Sequence, residues 1–282
     1  MLTGRALIED IDRAEPAAGE LAFWWLGQHG FVVKLGEKVV YLDAYLSGAQ
    51  SRTVRPLLVP EEIIHADMIT GSHDHSDHID RAVWPKLAKA SPQGKFVAPQ
   101  LILDRGLPED LGIHADRFIG LTDGSSRTAG GIRITGVAAA HERLDVDADT
   151  GLNPYLGYLV EGNGCRIYHA GDTCKYEGLE TRLKELGPFD VVFLPINGRD
   201  AERLKSGCIG NMTYQEAVDL AGEIEPRLAV PAHFDMFANN SEDPRKFVDY
   251  MNVKFPRVRP LIPQHGRRVV LRAGAEAETA QE

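Results

Sequence analysis

Apolar runs of strand length recur along the chain, broken by polar, glycine-bearing segments. They predict strands at residues 22–26, FVVKL (31–35) and KVVYLD (38–43), the last two joined by a short glycine-containing turn that reads as a hairpin. The chain therefore opens with antiparallel pairing, after which helical and strand patterns alternate. DMITGS reads as a buried strand, a helix falls within 81–90, and strands follow at KFVAP (95–99), GIRITGV (131–137), YLGYLVE (155–161) and CRIYHA (165–170). A helix near 176–186, the strand FDVVFLPI (189–196), a helix near 213–223, the strand RLAVPAH (227–233) and a helix near 243–254 complete the series. Hairpins mixed with single helices imply helices packed outside a sheet sandwich.

One helix start is well marked. Thr213 with Glu216 forms a capping box, and Ala217, Leu220, Ala221 and Ile224 follow at helical spacing. Trp24 and Trp25 fall on opposite faces of their strand, which puts one in the core and leaves the other free to approach a cleft rim. No repeat, linker or break in composition divides the chain, so residues 1–272 read as a single domain and the tail 273–282, AGAEAETAQE, as frayed.

Composition narrows the class. The 282 residues are 43% hydrophobic and 26% charged, the balance of an ordinary globular protein. A formal net charge of -10 with no basic stripe argues against a nucleic-acid partner. The N-terminus lacks the basic start and apolar stretch of a signal peptide, and no apolar run approaches the roughly 20 residues of a spanning helix, so no membrane partner and a cytoplasmic location are expected. Cys165, Cys174 and Cys208 are odd in number and widely spaced, which fits reduced thiols better than disulfides or a CxxC zinc site. Cys174 reads as a small packed residue rather than a nucleophile. A homo-oligomer is left open.

The stretch GSHDHSDHID (71–80) changes the picture. Three histidines and three aspartates in ten positions make either a solvated loop or a metal site, because burying such groups unpaired costs several kcal/mol each. Alternation lets His73 and His75 face one ion while Asp77 and His78 turn toward a second. Single ligand-type residues then recur at three further strand exits: His141 after GIRITGVAAA, Asp172 after CRIYHAG, and His233 after RLAVPA. Of the other histidines, His169 reads as packed or hydrogen-bonded, His29 equally as turn or cleft wall, and His65, His114 and His265 as surface or loop residues.

In that order HDHSDH, AAAHE, HAGDT and PAHFD resemble the metallo-β-lactamase superfamily, over roughly residues 22 to 272. FWWLGQHGFVVK, SHDHSDHID and VPAHFDMFANN are similar to its ascorbate-6-phosphate lactonase-like branch and related metal-dependent hydrolases. The resemblance implies an α/β fold, a four-layer αββα sandwich with a metal centre at one edge. It assigns His73, His75 and His141 to a first ion, Asp77, His78 and His233 to a second, and Asp172 to a bridge, with Asp43 supporting from behind. The chain departs from the lactonase pattern in being shorter near the N-terminus and around the cluster, and in its plain His141.

Imidazole and carboxylate donors suit divalent ions, zinc first and manganese next. Two such ions lower the pKa of a shared water from about 15.7 toward 7, giving a bridging hydroxide as the attacking group. Asp77 is the expected proton carrier. Arg199, Arg203 and Lys205 lie in the segment 196–211, read as a substrate-facing loop, with Arg199 preferred for a phosphate or carboxylate. The expected activity is hydrolysis of an ester-type bond in a small molecule, a lactone, phosphorylated or not. A phosphodiesterase, phospholipase D-like cleavage included, is the alternative, and a non-hydrolytic metal-binding or redox protein the second.

Overall fold

The computed structural model describes residues 1–272 and the backbone of 278–279. After the helix Gly4–Arg13 (α1), strands Leu21–Gly27 (β1), Gly30–Leu35 (β2) and Lys38–Leu42 (β3) pair antiparallel. Strands Met68–Thr70 (β4), Lys95–Pro99 (β5) and Phe118–Leu121 (β6) extend this sheet in parallel, with helices Trp84–Ala90 (α2), Gln100–Asp104 (α3) and Leu107–Leu111 (α4) between them in sequence. The second sheet holds Ser126–Ala129 (β7), Ile132–Ala138 (β8), Leu156–Gly162 (β9), Cys165–His169 (β10), Val191–Pro195 (β11) and Leu228–Ala232 (β12). Helices Leu179–Leu186 (α5), Ala201–Lys205 (α6), Tyr214–Ile224 (α7) and Pro244–Lys254 (α8) accompany it, and Arg268–Leu271 (β13) and Glu278–Thr279 (β14) return to the first sheet. The sheet orders are β14-β13-β1-β2-β3-β4-β5-β6 and β12-β11-β10-β9-β8-β7.

Two apolar cores make this a four-layer αββα sandwich. Phe23, Trp25, Phe31 and Val33 of the first sheet meet Tyr158, Ile167 and Phe193 of the second, in a core continuous with Leu183, Ala217 and Phe247 of the helices beyond. Ala22, Trp24, Val32 and Tyr41 point the other way, onto Leu7, Ile11 and Trp84 of α1 and α2. The strands read as nearly continuous apolar runs because both faces are covered. Trp24 and Trp25 do take opposite faces, but both are buried: Trp24 donates to Asp10 at 2.8 Å, and Trp25 stacks on His265 at 4.2 Å.

The strands and helices read from the pattern are present with ends shifted by a few residues, and the Thr213–Glu216 capping box opens α7. Several elements escaped that reading. α1 buries Leu7, Ile8 and Ile11, but the acids and arginines of its outer face break the apolar pattern into fragments. β6 and β7 are short and only partly buried, so they carry little apolar signal. The frayed tail expected at 273–282 lies outside the described residues, apart from the backbone pairing of 278–279 with β13. Among the described residues, no helix is long and apolar enough to cross a membrane.

Candidate metal centre

Strand ends deliver the donors to one edge of the sandwich. β4 runs into the histidine-rich loop through Gly71, where a Cβ would stand 2.3 Å from Ile79 Cγ1, so the tight return of the loop requires glycine. Tyr158 donates to the Gly71 carbonyl at 2.9 Å, tying the loop start to β9. Backbone bonds from His78 and Ile79 to the His75 carbonyl, at 3.0 and 2.8 Å, bend the loop so that His78 folds back beneath His73. His141 follows β8, Asp172 follows β10 after Gly171 at φ +61°, and His233 follows β12. Asp43, Gln28, Glu142 and His233 have positive φ without being glycine, a concentration of backbone strain at and beside the site.

The side chains form two trios joined by one carboxylate. Donor atoms of His73, His75 and His141 lie within 4.8 Å of one another, as do those of Asp77, His78 and His233. Asp172 stands between them, 3.3 Å from His78 Nε2, 3.2 Å from His233 Nε2 and 3.7 Å from His141 Nε2. All seven residues expected from the sequence therefore converge. Asp43 is buried behind them, its carboxylate 2.6 Å from His78 Nδ1 and accepting from the Ser72 hydroxyl and amide, so the opposite ring nitrogen of His78 is turned inward.

Burial and mutual fields set the protonation of the bare protein site. Burial, and then His78, push His73 well below the usual histidine range, and burial brings His141 down to about 4 and His29 to about 3. Burial opposes charge on His78 too, but Asp172 and Asp77 outweigh it and hold its pKa well above the ordinary value. Burial would raise the Asp172 pKa, yet His233 and His78 keep it well below the usual carboxylate range.

Divalent ions fit this donor set on an observation of the site itself. His78 Nε2 and Asp172 Oδ1 are buried and make no hydrogen bond to each other or to any other described group. Their 3.3 Å approach is an ion pair without hydrogen-bond geometry, and a divalent cation would give both atoms a partner.

Two residues at the site, Gln28 and Ser72, went unread in the sequence. Gln28 Nε2 donates to Asp77 Oδ2 at 2.8 Å and lies 3.0 Å from His233 Nε2; its backbone N–H is fixed by Asp235 at 2.8 Å. Ser72 ties Asp43 to the loop. His29 is fully buried beneath the centre, 3.7 Å from Asp172, and His169 packs against it at 4.1 Å while its Nε2 bonds the His29 carbonyl. A glutamine in a turn carries no metal signature, and only proximity reveals these roles. His265, read as a surface or loop residue, lies between α8 and β13, half-buried and paired with Asp235 at 2.6 Å.

Arg199 is placed away from the centre. Its guanidinium makes a fork on Glu216, 2.6 Å for each nitrogen, and bonds the Asn211 carbonyl. The carboxylate that caps α7 has claimed it. The segment 196–211 is also not one open loop, since 201–205 form α6, and only its end reaches the cavity. That cavity, about 400 Å³, opens on His75, Asp77, His141, Asp172 and His233. Cys174 is buried, with its thiol pKa pushed up by burial, as a packing residue requires.

Fold and site together define a class, and comparison with known proteins agrees. The chain belongs to the metallo-β-lactamase superfamily: the model of the "Beta-lactamase superfamily domain" matches residues 38–234. It is 30% identical over 254 residues to a UPF0173 metal-dependent hydrolase of Thermococcus kodakarensis, covering 90% of this chain and 97% of the relative. It is 31% identical over 223 residues to another from Thermococcus onnurineus, covering 79% and 88%. The solved metallo hydrolase of Ignicoccus hospitalis shares the fold, with a TM-score of 0.68 and 20% identity across 90% of this chain and 99% of that one. Metal-dependent hydrolysis is the activity class of this chain.

Proposed function

We propose that the centre holds two divalent ions, zinc or manganese, and that the protein opens an ester-type bond in a small molecule, a lactone being the first choice. One observation carries the reading: Asp172 lies 3.2 to 3.7 Å from donors of both trios, so a single carboxylate can serve two ions. The lactone choice is supported by the resemblance of the GQHGF, HDHSDH and PAHFD segments to lactonase-like hydrolases.

When bound, such ions supply Lewis acidity and lower the pKa of water from about 15.7 toward 7. The chain's own residues do the rest. His73, His75 and His141 form one face of the site and His78 and His233 the other; burial holds every ring but that of the exposed His75, and Asp43 also holds His78. Asp77 faces both the centre and the cavity, with 17% of its side chain exposed against 0% for His78. Burial raises its pKa but His78 and His233 prevail and keep it ionised, so it enters the reaction as a proton acceptor. Its carboxylate takes the proton from the attacking water and hands it to the leaving alkoxide, while Gln28 holds its orientation. The cytoplasm is the setting that suits three unpaired thiols.

The test is a panel of lactones, phosphodiesters and β-lactams offered to protein loaded with zinc or manganese. Lactone turnover that disappears on chelation supports the reading. Turnover confined to phosphodiesters overturns the substrate choice, and no turnover of any ester by metal-loaded protein overturns the reaction.

A further inference from the structure

Resting on that hydrolase reading, we propose that the part of the substrate remote from the reacting bond is uncharged, and that the Asn240 side-chain amide orients it. The wall of the cavity opposite the histidines is made by Ser51, Cys208, Ile209, Phe237, Asn239 and Asn240. It offers apolar surface and amide groups, and among the described residues no lysine or arginine lines it.

The cations nearby in sequence are committed elsewhere. Arg52 donates to the carbonyls of Val54, Tyr45 and Ser47 and lies over the Tyr45 ring; its Nη2 is buried without a hydrogen-bond partner, and the residue does not line the cavity. Arg199 is held by Glu216, and Arg203 by Asp200 and the Ser241 carbonyl. Lys205 is exposed at the end of α6 and does not line the cavity. A phosphate on the far end of a substrate would lose its water shell here and gain no charged donor, which makes its burial costly.

The amide of Asn240 is oriented from behind. Fully buried Asn211 donates to Asn197 Oδ1 at 3.2 Å, and fully buried Asn197 donates in turn to Asn240 Oδ1 at 2.8 Å. This relay uses the oxygen of Asn240 and leaves its NH2 group for the cavity. A carbonyl or ether oxygen on the substrate is the complementary acceptor, with an apolar substituent against Ile209 and Phe237. An oriented neutral donor costs less to desolvate than a charged one and discriminates sharply against groups that cannot accept.

The test uses the full chain loaded with metal and two lactones that differ only by a distal phosphate. The expected result is a kcat/KM for the neutral lactone at least ten-fold above the phosphorylated one, a ten-fold loss for Asn240→Ala seen mainly in KM, and no change for Lys205→Ala. A preference for the phosphorylated lactone, or full activity of Asn240→Ala, overturns the proposal. Alkylation of Cys208 by iodoacetamide supplies a readout that needs no turnover, because Cys165 and Cys174 are buried. A neutral lactam is expected to slow it several-fold and its phosphorylated counterpart to leave it unchanged; equal protection, or none, overturns the proposal even if esters are hydrolysed. Protection without turnover would instead leave the pocket standing and sink the hydrolase reading.

Discussion

Gln28 and Asp77, 49 residues apart, meet in a 2.8 Å hydrogen bond from Nε2 to Oδ2 at the mouth of the centre. The turn between β1 and β2 thus fixes the carboxylate that faces the cavity. Gln28→Leu is expected to keep the fold and to weaken the second ion about ten-fold or more, in the range seen when a supporting partner of a ligand is removed. Competition with a chromogenic chelator reads this directly; unchanged affinity for both ions would contradict the role.

Asp43 is the corresponding support for His78. The amide introduced by Asp43→Asn can still accept from Ser72 but no longer stabilises a cationic or strongly polarised His78 ring. Metal affinity is expected to fall about 10–100-fold while far-UV circular dichroism is retained. Equal metal binding by the variant would show that burial alone orients His78.

Arg199 and Thr213 belong to stability rather than chemistry. The Arg199 side chain is 41% exposed, so its ion pair with Glu216 is worth about 0.5 kcal/mol, and Arg199→Ala is expected to leave kcat/KM within two-fold. Thr213→Ala removes a cap that accepts from Glu216, at a cost of about 1 kcal/mol. Urea denaturation and the lactone assay together check both; a large loss of kcat/KM in Arg199→Ala would restore it to the site.

Acid should destabilise the metal-free protein through its buried neutral histidines. His141 titrates near 4 in the fold and near 6.5 in the unfolded chain, so between these values the unfolded state binds more protons. Stability from this residue is therefore full above about pH 6.5 and is lost as the pH falls toward 4. His141→Asn removes the effect, and its melting temperature is expected to fall less steeply with acid than that of the unaltered chain, both measured in chelator. Parallel curves would refute the assignment.

The seven donors were legible because metal ligands are chemically rare at strand exits and fall in a recognisable order, from His73 to His233. The inner strands were legible because both of their faces are buried, unlike those of the edge strands β6 and β7. What stayed hidden depended on distance in sequence. Gln28 gains its meaning from Asp77 and His233, and Arg199 loses its expected one to Glu216, a residue that the sequence shows only as half of a capping box. α1 was hidden by its charged outer face, although three of its residues are firmly in the core.

Metal analysis of the purified chain tests the central claim most directly. Mass spectrometry of the native protein is expected to show two divalent ions per chain, with His75→Ala and Asp77→Ala each retaining about one and both losing lactone turnover. A chain that holds no divalent ion, or one that keeps full activity after chelation, would contradict the account.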